Sequence, residues 1–538
     1  MRSDGLLPYE FEEEPTKTRL IDHAGLLPYL DLACVLGVLS AADEKIGACG
    51  AQGWMDRHHV LSLVLLNLAG GENVEDIRVL EADAGLCEVF REAERHGLSR
   101  AERKQLAKRF RKGRERTFPS ETRLREYLDE FHNAEEETKR VEGRAFIPAK
   151  NEYLSGLCEV NRALVAEVQR HARRAQATLD IDATLQETRK REALYCYEGY
   201  KAYQPISTYW AETGLVLHSE FRDGNVPAGH EMLRILKESL AALPAGTQKA
   251  LLRMDSAGYQ HDVLRYCATG DGGKREIIEF TVSNDMTAEF RKAAISESEA
   301  EWKPLYRKER AGQVSTGQEW AEVVYVPNEI GTSKRSPEYR YIAIRELLRQ
   351  GVLCGMDDTE AQMELPFATI VCEGRAYRVK GIVTNMEGDA AELIRWHYAR
   401  CGKSEEAHAI MKNDLAGGTL PSGKFGANAA WWQMMVLSYN LHAAMMHFAF
   451  PKGLRGKRLK AIRFALIDVS GRIVEHGRRL YVRLARDHPA LAWLAGDAQE
   501  DRSAGPMPRI VAGKGVTQNK PRDNAGSADQ SHAGFELV

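Results

Sequence analysis

The run HYARCGKSEEAHAIMKNDL at residues 397–415 places an acid between an aromatic residue and a base at regular spacing. Tyr398, Glu405 and Lys412 follow one another at intervals of seven residues, which is nearly two turns of an α-helix. On a continuous helix the three side chains share one stripe. Packing stripes are usually apolar, whereas this stripe would carry a phenol, a carboxylate and an ammonium group. The spacing therefore predicts a functional helix face, with an amphipathic packing helix as the alternative.

Two aspartates in strand-like segments add to this acid. Asp182 lies in ATLDIDATLQE, where apolar and polar residues alternate strictly, and Asp180 shares its strand face. Asp255 stands where the apolar run KALLRM ends in a Ser-Ala-Gly turn. Each aspartate alone is more typical of a turn or a helix cap. Together with Glu405, however, Asp182 and Asp255 form a set of hard oxygen ligands that suits Mg²⁺ or Mn²⁺.

Hydrophobic periodicity predicts the elements that must position these acids. At 538 residues the chain is longer than a single core usually grows, so we expect a multidomain protein of the α+β class. Strand patterns after the first core part include a hairpin about Glu373 and Gly374. The predicted segments are a helical part at 1–150, a mixed α/β core in two pieces at 174–286 and 385–450, a β-rich block at 287–384, a basic segment at 451–498 and a disordered tail at 499–538.

The positive charge of the chain is concentrated in two stretches. Residues 99–123 hold ten Lys and Arg against three Glu, and residues 452–486 hold eleven against two acids. Such stretches are typical of contact with a polyanion such as DNA, although solvated helix faces have the same composition. In the first stretch, Ser120 is a plausible N-cap of a helix that carries Arg123 and Arg125 near its start. A DNA-reading helix and an ordinary capped helix fit this pattern equally well.

Composition also bears on the compartment. The nine cysteines include no Cys-x-x-Cys pair, which favours a reducing cytoplasm, and the acidic N-terminus does not resemble a secretory signal. The apolar run at 427–450 contains Gln433, Asn440, His442 and His447, which are costly in a bilayer, so we predict a buried helix and no membrane contact. In that run, Trp431 and Trp432 fit core packing better than stacking on an extruded base.

These motifs together resemble those of the DDE transposases of bacterial insertion sequences. LDIDAT matches the segment of the first acid, RMDSAG matches that of the second, and Tyr398, Glu405 and Lys412 match a Tyr-x2-Arg-x3-Glu-x6-Lys signature. The similarity in order and layout runs from about residue 55 to 485. The resemblance implies an RNase H-like core that is interrupted by the β-rich block and preceded by a helical DNA-binding domain.

The resemblance also implies roles for individual residues. Asp182, Asp255 and Glu405 would bind two Mg²⁺ or Mn²⁺ ions, with Asp180 as second choice for the first acid. Tyr398 and Lys412 would contact DNA near the scissile phosphate, and Arg123 and Arg125 are candidates for recognition of the element's ends. The signature's arginine position instead holds Cys401, and on a continuous helix the neighbouring Arg400 would point about 100° away.

The activity implied is cleavage at terminal inverted repeats and joining of the freed 3'-ends to target DNA, by two-metal-ion chemistry. The implied partners are double-stranded DNA and a second copy of the chain in a synaptic complex, in a bacterial cytoplasm. Two alternatives remain open. One is an RNase H-like nuclease without strand transfer, and the other is a domesticated DNA-binding protein with impaired chemistry.

Overall fold

The computed structural model describes residues 19–110, 113–270, 277–309, 312–327, 337–348, 367–450, 453–477 and 479–494. It is a mixed α and β protein in which helices precede and flank one large mixed sheet, so the predicted mixture of helices and sheet is confirmed. The domain boundaries stay predictions. The predicted tail at 499–538 lies outside the described residues.

The N-terminal part is helical, as predicted. Its helices are α1 Leu27–Val35, α2 Val38–Lys45, α3 Asp56–Ala69, α4 Ile77–Ala82, α5 Ala84–Ala93, α6 Arg100–Lys108, α7 Glu121–Asp129, α8 Ala134–Glu137 and α9 Glu152–His171. The predicted cap of α7 is present, because the Ser120 hydroxyl accepts a hydrogen bond from the backbone N–H of Arg123 at 3.3 Å. Helix α9 lies close against α2 because Gly156 has no side chain. A Cβ there would lie 2.0 Å from the Lys45 carbonyl oxygen.

Most of the strands and the remaining helices follow α9 along the chain. After the short N-terminal strand β1 Leu20–Ile21, the strands are β2 Gln176–Ala183, β3 Gln186–Glu187, β4 Ala202–Tyr203, β5 Ile206–Trp210, β6 Leu215–Glu220, β7 Lys249–Met254, β8 Glu279–Ser283, β9 Lys303–Glu309, β10 Gly312–Val323, β11 Arg340–Leu347, β12 Thr369–Cys372, β13 Arg375–Thr384, β14 Gly471–His476 and β15 Arg479–Arg483. The later helices are α10 Met232–Ala241, α11 His261–Thr269, α12 Ala288–Ser296, α13 Ala390–Tyr398, α14 Lys403–Ala409, α15 Phe425–Phe448, α16 Leu459–Ile462 and α17 Leu491–Leu494.

One sheet of ten strands runs through the centre of the molecule. Its order is β6-β5-β2-β7-β8-β13-β11-β10-β9, and β12 pairs with β13. Strands β2, β7 and β8 are parallel to one another, and all other pairs in this sheet are antiparallel. The predicted hairpin is present, with Cys372 opposite Arg375 and left-handed backbone at Glu373 and Gly374. Strands predicted in the β-rich block thus extend the sheet that contains β2 and β7.

The long apolar run forms the buried helix α15, and both of its tryptophans are core residues. Trp431 and Trp432 are at most 1% exposed, and their indole N–H groups donate to the Ala416 carbonyl and the Ser219 hydroxyl. Asn440 also has internal partners, since its amide donates to Asn161 at 2.7 Å. Core packing is therefore the confirmed role of the two tryptophans.

Within the described ranges, no single helix is long and apolar enough to cross a membrane. One bent pair, Ala24–Val35 with Val38–Lys45, meets the criteria of length and composition.

The two ends of the described chain meet in a small second sheet. Strand β1 pairs with β14, and β14 pairs with β15, so the basic C-terminal segment packs beside the N-terminal helices. The eight cysteines that the structure describes are all free thiols.

Candidate active site

The carboxyl ends of two neighbouring parallel strands bring Asp182 and Asp255 together. In the register of β2 and β7, Ile181 lies opposite Met254, so the residues that follow them lie side by side, with Asp182 near the end of β2 and Asp255 just after β7. Adjacent strands are about 4.8 Å apart. The Asp255 carboxylate accepts a hydrogen bond from the Ala257 N–H at 3.0 Å, which orients the turn after β7.

Asp180, the second choice for the first acid, has a different role. Its carboxylate is fully buried and binds the Arg253 guanidinium through two N···O contacts of 2.7 Å each. Arg253 also donates to the Trp396 carbonyl at 2.7 Å, in the last turn of α13. The buried pair therefore joins two central strands to the end of α13, and Asp182 is the aspartate of this strand that faces the site.

The prediction of one continuous helix through Tyr398, Glu405 and Lys412 is wrong. Helix α13 ends at Tyr398, residues 399–402 form turns, and Gly402 adopts a left-handed φ of 92° before α14 begins. After α14 the chain widens into a π-helix at Ile410–Asp414, which changes the rotation per residue. The three side chains therefore share no stripe.

Because the helix breaks, Arg400 does not point away from the site as predicted. Its guanidinium lies 3.9 Å from the Asp182 carboxylate, and its side chain is only 12% exposed. The Nε of Arg400 is buried without a hydrogen-bond partner in the part of the chain that the structure describes. Cys401, in the signature's arginine position, is exposed. Arg400 is thus the base that stands beside the first acid.

Two residues that the sequence analysis missed contact the same carboxylate. The Ser404 hydroxyl lies 3.5 Å from Asp182, and His408 Nδ1 lies 3.8 Å from it. Their spacing of four residues places both on one face of α14, which is the signal that would have identified them. Glu405 is exposed, about 100° around the helix from Ser404. The face of α14 nearest Asp182 is therefore Ser404 and His408.

The electrostatics of the site centre on Asp182. Burial, together with the negative charges of Asp255 and Glu405, raises the pKa of its carboxyl to about 6 against the opposing positive charge of Arg400. Asp182 is thus the acid on which the charges of Asp255 and Glu405 both act. Burial, together with the charge of Lys412, lowers the pKa of His408 to about 4, so this imidazole is neutral at neutral pH.

The two predicted DNA-contacting residues of the signature, Tyr398 and Lys412, have different surroundings. The Tyr398 ring packs against a small apolar cluster with Leu393 and Ile382, and its hydroxyl is buried without a partner among the described residues. The Lys412 ammonium donates to the Leu185 carbonyl at 2.5 Å, and burial lowers its pKa. Lys412 thus joins the π-helix to the loop that follows the strand of Asp182.

The two arginines of α7 differ in their contacts. Arg125 binds Glu121 and Glu75, and also donates to the Pro421 carbonyl, so its guanidinium links α7 to the loop before α15. Arg123 has a 65% exposed side chain and one ion pair, with Glu126. Arg123 is therefore the more accessible of the two candidates for DNA recognition, and both assignments stay predictions.

The three acids are ligands of the kind that divalent cations bind, although the structure does not gather their side chains into one site. They supply only carboxylate oxygens, and the negative charges of Asp255 and Glu405 disfavour ionisation of Asp182, which a cation would offset. Among the described residues, no three His, Cys, Asp or Glu side chains are grouped closely enough to hold a metal ion. The exposed position of Glu405 accounts for this, because α14 presents Ser404 and His408 to Asp182 instead.

Comparisons with known proteins show the family of the chain. No curated protein matches the chain. One solved structure that is similar to it is described as "Cryo-EM structure of piggyBac transposase synaptic complex with hairpin DNA". It is 9% identical, with a TM-score of 0.40, and the match covers 82% of this chain and 80% of that one. A family model described as "Transposase DDE domain group 1" matches residues 56–499, a range that contains all three acids. The chain therefore belongs to the transposase DDE domain group 1 family.

Proposed function

We propose that the protein is a DNA transposase that cuts at the terminal inverted repeats of a bacterial insertion sequence and joins the 3'-ends to target DNA. The observation that carries this proposal is the placement of Asp182 beside Asp255, with the charge of Glu405 also acting on Asp182, within a chain of the transposase family. Asp182 and Asp255 lie at the carboxyl ends of adjacent parallel strands, and Glu405 comes from the short helix α14, whose Ser404 and His408 contact Asp182.

The sheet order supports an RNase H-like core. Strands β2, β5 and β6 follow one another as an antiparallel meander, and β7 and β8 then add in parallel on the other side of β2. This order, third-second-first-fourth-fifth, is that of an RNase H-like sheet. In this assignment β9 to β13 belong to the insertion, which continues the sheet from β8 through β13.

Asp182, Asp255 and Glu405 are the residues that would hold Mg²⁺ or Mn²⁺. Two such ions, when bound, supply activation of the attacking water and stabilisation of the leaving oxygen at a phosphodiester. Asp182 has to be ionised to act as a ligand, and Arg400 favours that form because its positive charge opposes the increase in the pKa of Asp182. Neutral His408 and the Ser404 hydroxyl limit how the Asp182 carboxylate turns.

Arg400 takes the place of the arginine that the signature would have at residue 401. Its guanidinium is largely buried, its Nε lacks a protein partner within the described residues, and it lies beside the first acid. A guanidinium in this position suits a phosphate oxygen, since arginine binds phosphate through paired N–H groups. Arg400 would hold the scissile phosphate. Tyr398 and Lys412 would contact the DNA near it, once the buried Tyr398 hydroxyl becomes exposed and the Lys412 ammonium exchanges the Leu185 carbonyl for a phosphate oxygen.

Replacing Arg400 with alanine should reduce DNA cleavage by about 10- to 100-fold, the usual effect of losing a residue that orients a metal ligand. The variant Arg400→Ala/Cys401→Arg should recover part of the lost activity, because it restores a guanidinium close by. Arg395→Ala is the matched control, since Arg395 pairs with Glu392 on the same α13 segment and does not contact Asp182. Cleavage by Arg400→Ala at the wild-type rate would contradict the assignment.

The function itself is tested by nicking of a DNA duplex that carries the inverted repeats flanking the reading frame, with and without Mg²⁺. Wild type should nick at the repeat ends only with the metal. Glu405→Gln should lose this activity, whereas Glu406→Gln, the adjacent exposed acid on the same helix, should keep it. Equal loss in both variants, or in neither, would refute Glu405 as a ligand.

Adding a target plasmid separates the alternatives. Joined products indicate a transposase, nicks without joining indicate a nuclease, and binding to the repeats without nicking indicates a DNA-binding protein with impaired chemistry. The proposal includes a homodimer that pairs both element ends in a synaptic complex, in a bacterial cytoplasm and on the nucleoid when bound to DNA. Particle mass with and without repeat DNA measures this dimer directly.

A further inference from the structure

A wide groove lies where the N-terminal helices meet the C-terminal hairpin, and none of the three acids lines it. Its volume is about 1380 Å³, and its walls come from α1, α5 and α6 on one side and β15 and α17 on the other. Apolar side chains form much of its surface, and they include Leu27, Leu30, Leu106, Leu480 and Leu484. An open apolar groove that is rimmed by polar residues is one of the features that mark interaction sites.

The rim of this groove is mainly basic. Six Lys and Arg residues line it against three acids. Arg95 and Arg114 already pair with Glu92 and Glu94. Arg100 and Lys104 are exposed on α6, and no ion pair joins either of them to a described carboxylate. Because these two residues are four apart, they project from one face of the helix and present two uncompensated positive charges.

The amino-terminal segment of this chain has the complementary composition. Residues 6–14, LLPYEFEEE, combine two leucines, Tyr9 and Phe11 with four glutamates. The segment joins the described structure at Arg19, whose guanidinium pairs with Glu88 on α5 at 2.9 Å. Glu14 is five residues from this point, so an extended chain reaches roughly 17 Å, and Tyr9 at ten residues reaches roughly 33 Å. The groove wall formed by α5 is therefore within reach.

We propose that residues 6–14 dock into this groove of their own chain, with Tyr9 and Phe11 on the apolar floor and Glu12, Glu13 and Glu14 toward Arg100 and Lys104. The attraction between the glutamates and the basic rim fixes the position of the segment along the groove. Burial of the two aromatic rings supplies most of the favourable binding energy. Because α6 belongs to the basic stretch assigned above to DNA, the docked segment would compete with phosphates for the same cations. This last consequence alone rests on the proposed function.

Photo-crosslinking in the full-length chain tests the contact without any catalytic readout. With p-benzoylphenylalanine in place of Phe11, irradiation should give a product of monomer mass, with crosslinks mapped by mass spectrometry to α1, α6 or β15. Lys104→Glu and Arg100→Glu should each lower the yield by at least about threefold, in line with the worth of a favourable exposed ion pair. Lys292→Glu, an exposed lysine on α12, is the matched control and should leave the yield unchanged.

Crosslinks elsewhere on the chain, or a product of dimer mass, would overturn the proposal. A second measurement uses native thiols and needs no change in the groove. Cys34 lines the groove, and exposed Cys401 lies outside it and serves as the internal reference. In Glu12→Gln/Glu13→Gln/Glu14→Gln, alkylation of Cys34 relative to Cys401 should rise by at least about threefold as the segment leaves. An unchanged ratio would contradict docking, whether or not the protein cuts DNA.

Discussion

Asp182→Asn should lower metal-dependent DNA cleavage by more than about 100-fold while the protein stays folded. Losing an outer partner of a metal ligand already costs about 10- to 100-fold, and Asp182 is proposed as a ligand itself. The amide keeps the shape of the carboxylate and one oxygen but removes the charge that a cation needs. The measurement is the initial rate of nicking on inverted-repeat DNA across a Mg²⁺ titration, with Asp129→Asn, a surface aspartate paired with Lys424, as the control.

The same substitution should raise thermal stability, which excludes misfolding as the cause of lost activity. In the folded protein the pKa of Asp182 is raised from 3.8 to about 6. The folded state therefore binds this proton more readily than the unfolded state, and ionisation costs stability as pH rises from the unfolded value through the folded one. Above pH 6 the full cost applies, about 1 to 3 kcal/mol at 1.4 kcal/mol per pKa unit.

The Tm of Asp182→Asn should accordingly exceed that of wild type, and by more at pH 7.5 than at pH 5. At pH 5 the folded wild type is already largely protonated at Asp182, so part of the cost is absent. If Asp182→Asn nicks DNA at the wild-type rate, Asp182 is not part of the active site. A lower Tm at both pH values would show that Asp182 is a net stabilising contact of Arg400 and Ser404 rather than a strained functional acid.

Arg253→Met should lower the free energy of unfolding by about 3–5 kcal/mol, because it leaves the fully buried Asp180 carboxylate without its partner. Both side chains are at most 4% exposed, so water cannot compensate for the lost contacts. The guanidinium also holds the Trp396 carbonyl at the end of α13. The expected fall in Tm is at least about 6 °C for a domain-sized unit, measured by differential scanning calorimetry.

A double-mutant cycle isolates the interaction energy between Asp180 and Arg253. Asp180→Leu/Arg253→Met replaces both charges with apolar groups and should recover most of the lost stability, since a buried ion pair costs nearly as much to desolvate as it returns. Arg170→Met is the matched control, because Arg170 is largely exposed and its pair with Glu167 is worth little. If Arg253→Met melts at the wild-type temperature, the pair does not anchor α13. In that case Arg400 would need another explanation for its place beside Asp182.

Asp182 and Asp255, the two acids predicted on or beside strands, show which features a local sequence pattern can predict. Strict alternation around Asp182 predicts a strand with one polar face, and the end of an apolar run predicts the turn at Asp255. Both elements are present, as are α15, the capped α7 and the hairpin at Glu373 and Gly374. These features depend on hydrogen bonds and burial within a few residues, so composition and period are enough to predict them.

The helix that carries Glu405 shows what a local sequence pattern cannot predict. A seven-residue interval is compatible with one helix, but it carries no information on whether the helix continues. The chain turns after Tyr398 because Gly402 permits a left-handed backbone and Arg253, from a strand 143 residues earlier, binds the Trp396 carbonyl. The turn brings Arg400, Ser404 and His408 to Asp182 and leaves Glu405 exposed.

The sequence by itself thus determined the strand that carries Asp182, the turn that carries Asp255 and the family to which the chain belongs. Only the tertiary structure decided which aspartate of the strand is free, which base stands beside it and which face of α14 it meets. The reason is physical: strand and helix signals are local, whereas the pairing of Asp180 with Arg253 and the contact of Arg400 with Asp182 join residues 73 and 218 positions apart along the chain. Such contacts form only when the sheet places β2 beside β7 and α13 across both.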